Sequence, residues 1–265
     1  MNIIPVAMMI LIFASYGHAA DTKNKECLFN ASQIEFFSSN KPNIVDYYRA
    51  LQYCDVIDSD YTLFSDKGPL STNDIQWITS NGQDVYPTIV DIKNGFIQVD
   101  NESGDGTTSS IQIVLLRNAK GEATVGYYHE LRVPLLLGHE KADLSFYRLD
   151  KSCGKLVEVT HAVLPQITLT DFGTNEIEYQ RLNFIKNAEF HHGIENAVLF
   201  YYELPRFGTR LIVNRTLTKS RLHTLMKSLP TDSTESEILK HYYNQIETDT
   251  IKLKWDKTRS LFVID

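Results

Sequence analysis

The chain has 265 residues, 43% hydrophobic and 22% charged, with 33 acidic against 26 basic side chains and a net charge of −7. This is a globular composition, long enough to bury a substantial core without a metal or a dense disulfide framework. The acidic balance excludes global attraction to nucleic acid or anionic lipid.

Residues 1–20 carry no charged side chain; an apolar run from Ile3 to Phe13 closes on Gly17-His18-Ala19-Ala20, and Asp21-Thr22-Lys23 turns polar at once. This pattern reads as a cleaved export signal, too short for a stable membrane anchor. The expected mature product is residues 21–265, one β-rich domain in the periplasm or secreted, with no anchor after cleavage. Cys27, Cys54 and Cys153 form an odd set for an oxidising compartment, so one pair and one spare thiol is the simplest arrangement. Three pairings fit; the expected bridge joins Cys27 to Cys54, the two nearest in the chain.

From Asn40, Ile44, Tyr47, Leu51 and Cys54 recur at three and four residues, which predicts a helix with Pro42 in its first turn. A second short helix is expected from Ser71 or Thr72 through Ile75, Trp77 and Ile78, stopped by Asn81-Gly82. Residues 40–80 thus form a helical N-terminal segment ahead of the strands.

Asn94-Gly95, between Thr88–Lys93 and Phe96–Asp100, predicts a two-residue type I′ hairpin. Ser110–Arg117, with Ile111, Ile113 and Leu115 on one face, turns through Asn118-Ala119-Lys120-Gly121 into Ala123, Val125 and Tyr127. A third hairpin joins Leu144–Leu149 to Leu156–Thr160. Ala197–Leu204 pairs with Thr209–Val213, and Thr250–Trp255 with Ser260–Ile264. A capping box at Thr234-x-x-Glu237 opens a helix between these two hairpins. Successive hairpins without a fixed period predict a mainly β, antiparallel sandwich or open barrel with a few peripheral helices.

Catalytic motifs fail on inspection. Ser38-Ser39-Asn40-Lys41 satisfies S-x-x-K, but S-D-N and K-T-G are missing, and so is G-x-S-x-G. His129-Glu130 and His139-Glu140 begin like H-E-x-x-H, yet Val133 and Asp143 stand where the second histidine belongs. Asp100–Gly106 resembles a calcium loop broken by Gly104 at the fifth position. No metal or cofactor is implied. Asn30, Asn101 and Asn214 begin glycosylation sequons that matter only where that machinery exists.

Between Glu203 and Asp232 no acidic residue occurs, while Arg206, Arg210, Arg215, Lys219, Arg221 and Lys227 give six positive charges. With Tyr201 and Tyr202 beside them, these cations form the candidate face for an acidic protein partner. The odd separation of Arg210 and Arg215 places them on opposite faces of a strand. The expected function is an exported, non-enzymatic protein-binding module of the immunity or inhibitor kind. The alternative is a cell-envelope hydrolase with a scattered site, for which His129, Glu130, Asp100 and Asp105 would have to converge at one sheet edge.

Overall fold

The computed structural model describes residues 40–58, 61–65, 75–78, 85–86, 88–104, 106–132, 140–152, 154–172, 198–217 and 250–265, with single positions at 29, 33, 227, 230, 233, 236, 237 and 240. Residues 1–20, where an export signal is expected, and Cys27, Asp105, Cys153, Lys219 and Arg221 lie outside them.

The helix α1 (Ile44–Tyr53) precedes the strands. Its start is set by Asn43 rather than Asn40. The Asn43 side chain accepts from the Val45 N–H at 2.8 Å, and the Asp46 carboxylate accepts from the Asn43 N–H at 2.8 Å. Lys41 and Pro42 therefore stand outside the helix. Ile44, Tyr47, Tyr48 and Leu51 are buried as the periodicity predicts, while Cys54 is the half-buried C-cap.

The second predicted helix is a strand. β1 (Thr62–Ser65), β2 (Ile75–Ile78) and β3 (Val85–Tyr86) make a small antiparallel sheet, with Phe64 opposite Gln76 and Trp77 opposite Tyr86. A four-residue apolar run fits either period, and here pairing with both neighbours decides for the strand.

Two larger antiparallel sheets form the body. The first runs in sequence order through β4 (Thr88–Asp91), β5 (Phe96–Glu102), β6 (Thr108–Arg117), β7 (Ala123–Arg132), β8 (Glu140–Asp150) and β9 (Lys155–Glu158). The second has β10 (Val198–Glu203), β11 (Arg210–Leu217), β12 (Thr250–Asp256) and β13 (Leu261–Ile264). They pack face to face as an open, mainly β sandwich.

Both faces of the six-stranded sheet are covered. Phe96, Val114, Leu116, Tyr128 and Phe146 meet Leu211, Val213, Leu253, Trp255 and Phe262 of the second sheet. On the opposite face Ile97, Val99, Ile111, Ile113 and Val125 pack with α1. This explains the almost unbroken apolar run in β6, since a strand buried on both sides cannot alternate. β12 does alternate: Ile251, Leu253 and Trp255 are buried between exposed Thr250, Lys252 and Lys254, so its outer face is open to solvent.

The turn at Asn94-Gly95 is not type I′. Asp91 pairs with Phe96, which leaves a four-residue loop, and only Gly95 takes positive φ, at 69°. Asp91 holds Asn94 through both its backbone and side-chain N–H groups, at 3.1 and 2.9 Å. A type I turn followed by a left-handed glycine satisfies this loop length. Between the last two hairpins the helix entrance is capped by Ser233, whose hydroxyl accepts from the Ser236 N–H at 3.1 Å; Thr234 is outside the described residues. No helix among the described residues is long and apolar enough to cross a membrane.

Candidate functional site

The basic stretch after Glu203 does not lie on one surface. Arg206 is ion-paired with Asp91 at 3.2 Å and Arg210 with Asp265 at 2.6 Å. Arg215 points inward, 8% exposed, with its guanidinium 5.5 Å from the Phe172 ring, which in turn stacks on Phe200. Arg210 and Arg215 thus occupy opposite faces of β11, as their spacing requires. Neither tyrosine is presented outward. Tyr201 is 9% exposed beneath the Arg132 guanidinium, and Tyr202 meets Tyr128 edge-on in the core between the sheets. The exposed aromatic of this region is Phe207, at 69%, with Arg206 over its ring.

The residues considered for hydrolysis separate as well. Asp100 and Glu130 flank Ser110 in one row of the sheet, on the side facing the second sheet. Asp100 accepts from Ser110 and Gln98. Glu130 accepts from the Tyr128 hydroxyl at 2.9 Å and pairs with Arg132. His129 lies on the opposite face, where its Nε2 is 3.0 Å from the Ser109 hydroxyl and Asp143 is its partner across the ladder. Asp105 lies outside the described residues. Ser, His and Asp therefore share a face, but Ser109 stands inside a ladder between Asn101 and Leu131, where backbone N–H groups serve the sheet rather than a developing oxyanion.

A different set of charges comes together at one end of the sandwich. The turn at 92–95, the loop at 118–122, the turn at 151–154, the connection at 204–209 and the turn at 257–260 all emerge there. They are tied across the sheets. The Ala119 N–H donates to the Lys257 carbonyl at 2.8 Å, the Trp255 indole N–H to the Arg117 carbonyl at 3.0 Å, and the Arg148 guanidinium to the Ser260 carbonyl at 2.5 Å.

Two adjoining cavities open between these loops and the start of α1, with volumes of about 330 and about 570 Å³. Lys41, Pro42 and Arg117 line both. The smaller adds Lys93 and Lys257 over Ile92, Leu115 and Trp255. The larger adds Lys120, Arg148 and Lys151, together with the carboxylates of Glu122 and Asp150. Among the described residues seven cations thus face two carboxylates, in a protein whose net charge is −7.

The two arginines are fixed by neutral oxygens. Arg117 donates to the Pro42 carbonyl at 2.6 Å and the Gly121 carbonyl at 3.0 Å; Arg148 donates to the Thr124 hydroxyl at 2.8 Å as well as to Ser260. Among the described residues neither is paired with a carboxylate, nor is any of the five lysines, all of them exposed. Carbonyl acceptors orient a guanidinium without cancelling its charge, so the cleft holds preorganised positive potential aimed at an anion. Its cations are scattered from Lys41 to Lys257, one or two per turn. The available signal was a Lys inside almost every hairpin turn, not a run of basic residues.

Comparison with family models and with curated proteins gave no match. Among solved structures, a domain of an uncharacterized protein from Porphyromonas gingivalis W83 is similar over 84% of this chain and 90% of that one, at 12% identity and a TM-score of 0.43.

Proposed function

We propose that the protein is an exported, non-enzymatic binding module of the immunity or inhibitor kind, which holds an acidic protein partner at the turn end of its sandwich. The observation that supports this is the cleft of seven cations that have no carboxylate partner among the described residues of an otherwise acidic molecule. Complementary potential of this kind speeds encounter and fixes orientation. A site built from loops on two packed sheets also keeps its geometry without involving the core. Periplasmic extract passed over immobilised protein tests it. Capture should fall with rising salt and be lost in Lys93→Glu/Lys151→Glu, while Arg206→Glu/Arg210→Glu still captures the partner. Equal capture by both double variants refutes the assignment of the surface.

The Ser109–His129 contact, with Asp143 opposite, favours the hydrolase alternative. A fluorophosphonate that labels wild type but not Ser109→Ala would establish that reading; absence of labelling ends it.

A further inference from the structure

Granted that the turn end binds an acidic protein, we infer that the cleft takes an extended segment of that partner in which carboxylates alternate with apolar side chains, rather than the flat face of a folded domain or a uniformly charged polymer. Three features of the cleft carry this.

The site is concave. Cavities of about 330 and about 570 Å³ have the size of sites that enclose small molecules or a few side chains, whereas folded partners meet across nearly flat surfaces. The two cavities share Arg117 as a common wall, so one continuous occupant can fill both. A folded face would bridge their mouths and leave their floors uncovered.

The cations are placed to count carboxylates. Arg117 and Arg148 are each held by neutral oxygens, and the exposed lysines stand around the cleft within it and at its rim. A carboxylate accepted by a preoriented guanidinium gains a charge-assisted hydrogen bond without first ordering the donor.

The lining is mixed. Ile92, Leu115 and Trp255 line the smaller cavity, and Tyr47 and Leu149 the larger. A hydrated polyanion gains nothing from that surface, whereas an extended peptide presents side chains alternately to its two sides and sets apolar groups against it while carboxylates meet the cations. Inorganic polyphosphate and polyglutamate satisfy the charge alone.

Fluorescence anisotropy with labelled hexapeptides and the folded, purified protein tests this. The probes are an alternating Glu-Leu hexapeptide, its Lys-Leu counterpart, hexaglutamate, and unlabelled inorganic polyphosphate as competitor. The Glu-Leu peptide should bind about tenfold or more tightly than hexaglutamate, the Lys-Leu peptide should not bind, and Lys93→Glu/Lys151→Glu should weaken the Glu-Leu complex by about tenfold or more. Both lysines are exposed and make no ion pair among the described residues, so this variant should retain the fold, which circular dichroism checks.

Hexaglutamate binding as tightly as Glu-Leu overturns the alternating-segment inference and leaves the acidic-partner reading standing. So does polyphosphate displacing every peptide at lower concentration. If no acidic peptide binds while the charge-reversed variant still loses partner capture, the occupant is a folded surface and the inference falls alone. Peptide binding and partner capture both indifferent to Lys93→Glu/Lys151→Glu overturn the inference and the reading together.

Discussion

Gly126 lies in β7 between Val114 of β6 and Phe146 of β8, in register with both. A Cβ placed on it would sit 2.8 Å from Phe146 Cε1, 3.2 Å from Phe146 Cδ1 and 3.0 Å from Val114 Cγ1. Phe146 is fully buried and packed on Phe262 at 5.5 Å between centroids, and Val114 is 2% exposed, so neither can retreat into solvent. Two effects of opposite sign compete in Gly126→Ala. Its φ lies outside the left-handed region. Restricting the unfolded chain therefore favours alanine by about 0.4–1 kcal/mol. Overpacking a close-packed core costs about 1–3 kcal/mol. The overlap is with a ring locked in the core, so overpacking wins and the variant should lose about 1–2 kcal/mol. In a domain of this size that is a fall of about 2–8 °C in melting temperature. Urea unfolding followed by circular dichroism checks it, with the slope unchanged and the midpoint lowered. Adding Phe146→Leu should recover part of the loss as a coupling of more than about 0.5 kcal/mol. A variant at least as stable as wild type, or strict additivity in the double variant, would refute the packing argument.

Gly95→Val should destabilise by about 1–3 kcal/mol, because Gly95 has a φ of 69° and its Cβ would come within 3.1 Å of Leu115 Cβ and 3.3 Å of the Leu115 carbonyl; an unchanged urea midpoint contradicts it. Burial raises the hydroxyl pKa of Tyr48, Tyr127, Tyr128, Tyr47, Tyr147 and Tyr202 above the ordinary value of 10.0. Above about pH 10 the unfolded chain sheds protons that the native state keeps, so this stabilisation is complete below that pH and declines as pH rises past it. Unfolding midpoints should fall between about pH 9 and about pH 11, and phenolate absorbance should appear in two phases; full titration of a chain still native by circular dichroism refutes it. Cys54 is disulfide-bonded, and we propose Cys27 as its partner. Non-reducing peptide mapping should recover that pair, whose reduction costs about 2–4 kcal/mol; a Cys54–Cys153 peptide overturns the pairing.

The hairpins were legible because their turns are local chemistry. Asn94-Gly95, Asn118 to Gly121 and Asp256 to Arg259 announce reversals, and Asn118 illustrates the cause: its side-chain oxygen accepts from the N–H groups of both Lys120 and Glu122, at 2.9 Å each. The type of the first turn was less legible. Asn94-Gly95 suits a two-residue loop, but Asp91 intercepts Asn94 and the strands close two residues earlier on one side. β2 was misread because its identity depends on Phe64 and Tyr86, which are distant in sequence. The site was missed for a related reason. Contiguity made Arg206, Arg210 and Arg215 a candidate face although their spacing already sends Arg210 and Arg215 to opposite sides of a strand, and distant aspartates, which the sequence does not reveal, absorb two of the three charges. Charges spread through Lys41, Lys93, Lys120, Lys151 and Lys257 form no run in the sequence; their signal is a Lys in most hairpin turns, which gains meaning only where the turns meet.

Gathering cations at one end has an energetic consequence that separates function from stability. Two like charges about 10 Å apart repel by about 0.4 kcal/mol in water, falling to about a third of that at physiological salt. Among the described residues Lys93, Lys120 and Lys151 are all exposed and make no ion pair, and Glu122 and Asp150 are the only carboxylates lining the two cavities. Their repulsion is therefore only partly offset within the fold. Replacing all three lysines with glutamine should raise unfolding stability by about 0.5–1 kcal/mol at low ionic strength, and the gain should shrink as salt is added. The same variant should lose the acidic partner. Urea midpoints at two salt concentrations, read beside the capture assay, test both halves. Were the lysines held by the fold itself, through ion pairs or packing, their removal would lower stability instead, and that sign would refute the reading of the cleft as charge kept for a ligand.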